Sequence, residues 1–301
     1  MKVIIAGIFT LFSLSQCHNI PGKKNDSNAD ALKDIHSVPF DLTIPGITEE
    51  TPAAGKRVRQ KLLHYEDTDV YHILFLPDNW EKGGQYPVII EYPGNGPYKN
   101  QYGDVCSGKP DDAHLGYGIG GGKDFIWVAV PFISADGQKN QLKWWGDIEA
   151  SVNYTIQLVK NVCCEFGGDS SLVFLTGFSR GAIGCNYIGL HNDEIADLWC
   201  AFIPFSHYDG VITNWGYADC DRESARRRLA KLNERPQLII QENKGTKNTQ
   251  EFIESTGIKG DFTYLNIPYR NHNDQWILQN IPEREFLRSW VAEVIDKKDR
   301  E

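Results

Sequence analysis

Residues 171–181 read Ser171-Leu172-Val173-Phe174-Leu175-Thr176-Gly177-Phe178-Ser179-Arg180-Gly181, and Ala182-Ile183-Gly184-Cys185-Asn186-Tyr187 follow. Leu172 to Thr176 is a short apolar run of the buried-strand type. Gly177, Ser179 and Gly181 form G-x-S-x-G, and the small residues after them suit a helix start. A strand that turns sharply into a helix through this pattern needs glycine two positions either side of the serine, because side chains there would collide. The serine oxygen then stands clear at the C-terminal edge of a sheet. A helix N-terminus beneath it favours developing negative charge. The five letters alone are a weak signal; their place between strand and helix makes Ser179 a candidate nucleophile.

Outward from this point, strands alternate with helices. Val70 to Leu76 and Pro87 to Glu91 are short apolar runs separated by a turn-rich loop, and Phe125 to Val130 is a third. From Asp147 to Phe166, apolar residues at Ile148, Val152, Ile156, Val159 and Val162 predict a helix, with Asp147 as N-cap and Gly167-Gly168 as stop. Further strands are expected at Leu198 to Phe205, Gln237 to Gln241 and Phe262 to Ile267. Helices are expected at Asp221 to Leu232, Thr246 to Ser255 and Glu283 to Ile295. This alternation predicts an α/β fold with a mostly parallel sheet covered on both faces. No repeat or long linker divides the chain after residue 38, so residues 38–301 read as one domain.

The chain has 301 residues, with Lys+Arg 31, Asp+Glu 40 and a formal charge of −9. Hydrophobic residues at 41% and charged residues at 24% exclude whole-chain disorder, and the acidic balance argues against a nucleic-acid partner. Met1 and Lys2 precede an uncharged apolar run to Leu14, the pattern of a secretory signal over residues 1–16. Cys17 directly after it resembles a bacterial lipobox cysteine, a candidate for lipidation; the alternative is an ordinary signal with an incidental cysteine. Residues 17–37 are polar and read as a tether. The expectation is an exported protein, periplasmic or at the cell surface, held by lipid or else secreted, with no other membrane contact. Seven cysteines leave one unpaired; a lipidated Cys17 would leave Cys106, Cys163, Cys164, Cys185, Cys200 and Cys220. These six lack zinc-site spacing, and Cys185 and Cys200 read as small buried hydrophobes. No metal or cofactor is expected.

The motif in its setting resembles the α/β-hydrolase superfamily, over about Val58 to Val294. The nearer resemblance is to exported bacterial esterases of carbohydrate and polyester breakdown. The Ser179-Arg180 pair is similar to the elbow of the glucuronoyl methylesterases, where the arginine helps to hold the oxyanion. The resemblance implies a Ser, acid, His order along the chain. His272, five residues beyond the last expected strand, takes the place of the base. Glu242, at the end of the strand near Gln241, is the first candidate acid, and Asp209 in Ser206-His207-Tyr208-Asp209-Gly210 is the alternative. The N–H of Arg180 and a donor at Gly94 or Asn95, in Glu91-Tyr92-Pro93-Gly94-Asn95-Gly96-Pro97-Tyr98, would form the oxyanion hole.

Trp144, Trp145, Trp215, Trp276, Tyr98 and Tyr208 fall in or beside loops expected at the sheet's top. There they could offer stacking faces to a sugar or phenolic group, and His207 could line the pocket. Arg180 and Arg270 are candidates to pair with a substrate carboxylate. The function expected is acyl transfer on a carbohydrate-linked ester (acetyl, feruloyl or uronoyl), with a small-molecule or oligosaccharide ester as substrate. Two rivals share the scaffold: a lyase or dehydratase on acidic sugars using Tyr208, His207 or His272, and a non-catalytic glycan-binding lipoprotein.

Overall fold

The computed structural model describes residues 32–298 and Arg300. The expected signal, Cys17 and residues 17–31 lie outside the described residues. Among the described residues there are eleven strands: β1 Ile47–Thr48, β2 Arg57–Gln60, β3 His72–Phe75, β4 Tyr86–Tyr92, β5 Tyr98–Lys99, β6 Val105–Cys106, β7 Ile126–Ala129, β8 Gly168–Phe178, β9 Ala201–Phe205, β10 Glu234–Glu242 and β11 Gly260–Ile267. The helices are α1 Leu115–Gly120, α2 Ile148–Phe166, α3 Arg180–Tyr187, α4 Asp193–Ala196, α5 Arg222–Leu229, α6 Thr246–Thr256 and α7 Pro282–Lys298. The nine-stranded sheet has the order β1-β2-β3-β7-β4-β8-β9-β10-β11, and β5 pairs with β6 in a separate ribbon. Only β3 runs against its neighbours in the large sheet.

Residues alternate between the two faces with the period of the pleat. Val88, Ile90 and Tyr92 face one core with α2 and α3, whereas Ile89 faces the other with α1 and α7. The central strands β4, β7 and β9 are thus covered on both sides, as their near-continuous apolar sequences require, whereas the edge strand β11 is only partly buried. Helix α2 shows how the letters specify an element. Asp147 accepts the N–H of Ala150, Val152, Ile156, Val159 and Val162 are buried, and Gly167 ends the helix at φ 76°. Each of those side chains contributes about 1.5–3 kcal/mol on burial.

The expected strands and helices are present with ends shifted by a few residues. Short β1, β2 and α1 have no counterpart in the sequence reading, since Ile47–Thr48 and Arg57–Gln60 are not apolar runs and Leu115–Gly120 is half glycine. Residues 32–37 differ from the expected tether. Ile35 is fully buried and its N–H donates to Asn271, while Lys33 bridges to Tyr269. Backbone bonds of Lys33 with Pro268 and Arg270, and the Gln279 amide on the Ile35 carbonyl, seat the segment on the domain together with this burial. The six described cysteines are free thiols, and Cys185 and Cys200 are buried as expected.

Candidate active site

The parallel strands end at a common level. Tyr92 pairs with Gly177, Phe178 with Phe205, and Glu242 with Ile267. Ser179, Ser206 and Glu242 therefore emerge side by side, and the loop after β11 returns across them.

Ser179 sits at φ 54°, ψ −113°, a strained conformation for a residue with a side chain. A Cβ at Gly177 would lie 2.3 Å from the Gly181 carbonyl oxygen, and one at Gly181 would lie 2.0 Å from that of Tyr92. Neither oxygen can yield, because both belong to packed backbone. The two glycines thus permit the turn, and the Ser179 N–H donates to the Phe205 carbonyl at 2.9 Å to hold it. Arg180 opens α3, so its backbone N–H has no partner within the helix.

His272 Nε2 lies 2.9 Å from Ser179 Oγ, and its Nδ1 lies 3.0 Å from Glu242 Oε1. A carboxylate only accepts, so Nδ1 carries the proton and Nε2 accepts from the serine hydroxyl. Ser206 Oγ is also 3.0 Å from Nδ1. The imidazole is caged by Tyr98, Phe178 and His207, whose ring centroids are 5.4, 4.8 and 5.3 Å away. Burial pushes His207 down to about 4, so its ring is neutral at pH 7.

Asp209 does not join this group. Its buried carboxylate takes both Nε and Nη2 of Arg228, at 2.7 and 3.0 Å. The turn after β9 carries Asp209 down beside α5, away from the histidine. Glu242 instead occupies the strand edge itself.

A cavity of about 150 Å³ opens at Ser179, bounded by Asn95, Tyr98, Cys106, Trp144, Phe178, Arg180, Ile183, His207, Trp215 and His272. Burial pushes the Cys106 thiol up to about 11, which makes it an uncharged wall at neutral pH. Asn95 reaches this space and Gly94 is not among its lining residues; Gly94 packs under Cys106 and Phe178. The side-chain oxygen of Asn95 accepts the Trp144 N–H at 2.8 Å, leaving its amide as a donor.

Three expected aromatic platforms belong to the core. Trp145 stacks on Tyr187 with centroids 4.5 Å apart, Trp276 is fully buried against Phe205, and the buried Tyr208 hydroxyl donates to Gln237. Their loops turn inward, where a large ring gains more by full burial than at a wet rim. Tyr208 is thereby unavailable as a substrate acid. The Arg180 guanidinium is also committed. It is 1% exposed, donates to the carbonyls of Gln141, Trp144 and Gly108, and lies 4.4 Å over the Phe132 ring. Burial lowers it to about 9, so it keeps its charge at pH 7. Arg270 pairs with Asp34 rather than facing the cavity.

Two residues of the site were not anticipated from the sequence: Asp104, which is fully buried below the histidine loop, and Ser206. Asp104 stands in a loop with no pattern to single it out. Ser206 had a signal: like Glu242, it is a polar residue at the C-terminal end of an apolar strand. Among the described residues no group of three or more His, Cys, Asp or Glu side chains could hold a metal ion.

This sheet order, with a serine elbow after the central strand and the acid and histidine after later ones, is the α/β-hydrolase fold. No protein-family model matches the chain, and no curated protein is similar to it in sequence. Solved structures are similar in fold. A fungal esterase from Rhizomucor miehei has a TM-score of 0.52 at 12% identity, covering 88% of this chain and 87% of its own. The feruloyl esterase module of Clostridium thermocellum has a TM-score of 0.51 at 13% identity, covering 80% and 92%. The chain spans 58% of the length of a thermostable esterase, with 76% of this chain covered, at 13% identity and a TM-score of 0.45.

Proposed function

We propose that this protein is a serine ester hydrolase that works by acyl transfer. The observation that carries the reading is the continuous path Ser179 Oγ, His272 Nε2, His272 Nδ1, Glu242 Oε1, with steps of 2.9 and 3.0 Å. In this reading Ser179 attacks the ester carbonyl as His272 takes its proton. The oxyanion is held by the N–H of Arg180 and a donor from Asn95. His272 then gives the proton to the leaving alcohol, and water activated by the same imidazole releases the acid. Glu242 holds the tautomer and stabilises the imidazolium that forms.

The substrate is a carbohydrate-linked ester. Trp144, Trp215 and Tyr98 at the cavity support a sugar ring by stacking. The cavity volume, about that of an engineered site that admits benzene, supports a short acyl group such as acetyl over a feruloyl chain. The protein is exported and anchored through a lipid on Cys17. The charged start, apolar run and following cysteine support this, and loss of palmitate-analogue labelling in Cys17→Ala would test it.

The deciding experiment is a panel of short p-nitrophenyl esters on wild type, Ser179→Ala and His272→Ala, with fluorophosphonate labelling of Ser179. Turnover and labelling that vanish in both variants support the reading. Absence of both in the wild type overturns it.

A further inference from the structure

A second space, of about 470 Å³, lies directly behind the wall of the Ser179 cavity. Asn95, Tyr98 and Trp144 face the cavity, while their chain neighbours Gly96, Pro97 and Lys143 face the groove. The two wall segments are pinned together by the Gly96 N–H on the Leu142 carbonyl at 2.8 Å. Arg180, next to the nucleophile, bonds the carbonyls of Gly108 and Trp144. Lys109 and Lys143 are each one residue from those anchors, so one guanidinium places both at the cavity's border.

Lys109, Lys139 and Lys143 all line this groove and are exposed. Among the described residues the ammonium group of none of the three has an ion-pair or hydrogen-bond partner, whereas Lys56, Lys160 and Lys231 each sit on a carboxylate. Asp69 is the one carboxylate in the lining, and Asp136 is near enough to Lys139 to feel its charge. A chain of formal charge −9 thus presents a locally cationic groove beside its nucleophile. Such a patch overcomes the general repulsion of an anion only at short range, because ionic screening confines it to about 10 Å.

We propose that the groove is a subsite for an anionic glycan, bearing uronate carboxylates or sulfate groups, whose esterified unit enters the Ser179 cavity. The inference rests on the ester-hydrolase reading for its chemistry and on the lysines for its specificity.

The test compares acetylated tetragalacturonate, an acetylated sulfated tetrasaccharide and acetylated xylotetraose on wild type and on the double variant Lys109→Glu, Lys143→Glu. The wild type is expected to show a KM about tenfold lower for one anionic ester than for the neutral one, lost in 0.5 M salt. The double variant should raise that KM at least tenfold and leave kcat/KM on p-nitrophenyl acetate unchanged. Which anionic arm responds separates uronate from sulfate. Equal KM for all three, or no effect of the charge reversals, overturns the subsite. A wild type inert on every ester would instead strike at the hydrolase reading. Calorimetry of the unesterified anionic oligosaccharides on Ser179→Ala then decides the groove by itself. Binding abolished by Lys109→Glu, Lys143→Glu supports it, and absence of binding removes it.

Discussion

The carboxylate of Asp104 accepts the backbone N–H of His272 at 2.9 Å. Its other oxygen accepts the Asn271 amide at 3.0 Å, and Asn271 in turn accepts the Ile35 N–H at 2.7 Å. A fully buried carboxylate thereby fixes the loop on which the imidazole rides. Asp104→Ala leaves these donors unpaired, at about 1–3 kcal/mol. The expected result is a kcat about ten- to a hundredfold lower with KM nearly unchanged, and slower fluorophosphonate labelling. Asp104→Asn, which keeps one acceptor, should recover part of the rate.

Glu242 and Asp209 are separated by opposite outcomes. Glu242→Gln should lower kcat by roughly 10²- to 10⁴-fold with little change in Tm, since it disturbs the tautomer and not the packing. Arg228→Ala strands the buried Asp209 carboxylate and should cost about 3–5 kcal/mol of stability. Its kcat on a p-nitrophenyl ester, measured below its lowered Tm, should match the wild type.

Gly181→Ala puts a methyl group against the Tyr92 carbonyl at 2.0 Å. Backbone must move at both the elbow and the oxyanion loop. Activity is expected to fall at least a hundredfold, with destabilisation of about 1–3 kcal/mol in a thermal melt. An active, equally stable variant would contradict the steric account of the turn.

Two buried groups give opposite pH dependences. Burial holds His72 down to about 3, so below pH 6.5 the unfolded chain binds a proton that the folded one does not, and stability falls as pH falls. Burial raises Glu91 to about 7, so between pH 4.5 and 7 the folded chain binds the extra proton and stability falls as pH rises. Each contributes about 1.4 kcal/mol per pH unit within its window. In urea unfolding between pH 4.5 and 6.5 the two slopes therefore offset one another in the wild type. Relative to it, the slope of stability against pH should become more negative by about 1.4 kcal/mol per unit in His72→Gln and more positive by about as much in Glu91→Gln.

Local chemistry was legible in the letters. The elbow at 177–181 could be read because its constraint is steric and spans five residues, and α2 because cap, stripe and stop lie within 21 residues. The candidate base could be placed only by the Ser, acid, His order that the α/β-hydrolase resemblance implies, not by the letters around it. The aromatic residues could not be sorted: Trp144 and Trp145 are neighbours, yet one lines the cavity and the other lies in the core. Nothing in two adjacent identical letters distinguishes a rim from an interior.

By itself the sequence determined a strand-turn-helix serine and a sheet with polar residues waiting at several strand ends. The tertiary structure decided which of them meet. Glu242 rather than Asp209 reaches His272, Arg180 is spent on wall carbonyls, and three lysines converge behind the cavity. The physical reason is range. Caps, turns and periodicity act over a few residues, whereas Ser179 and His272 are 93 residues apart and are joined only when sheet order and register bring their strand ends to one edge.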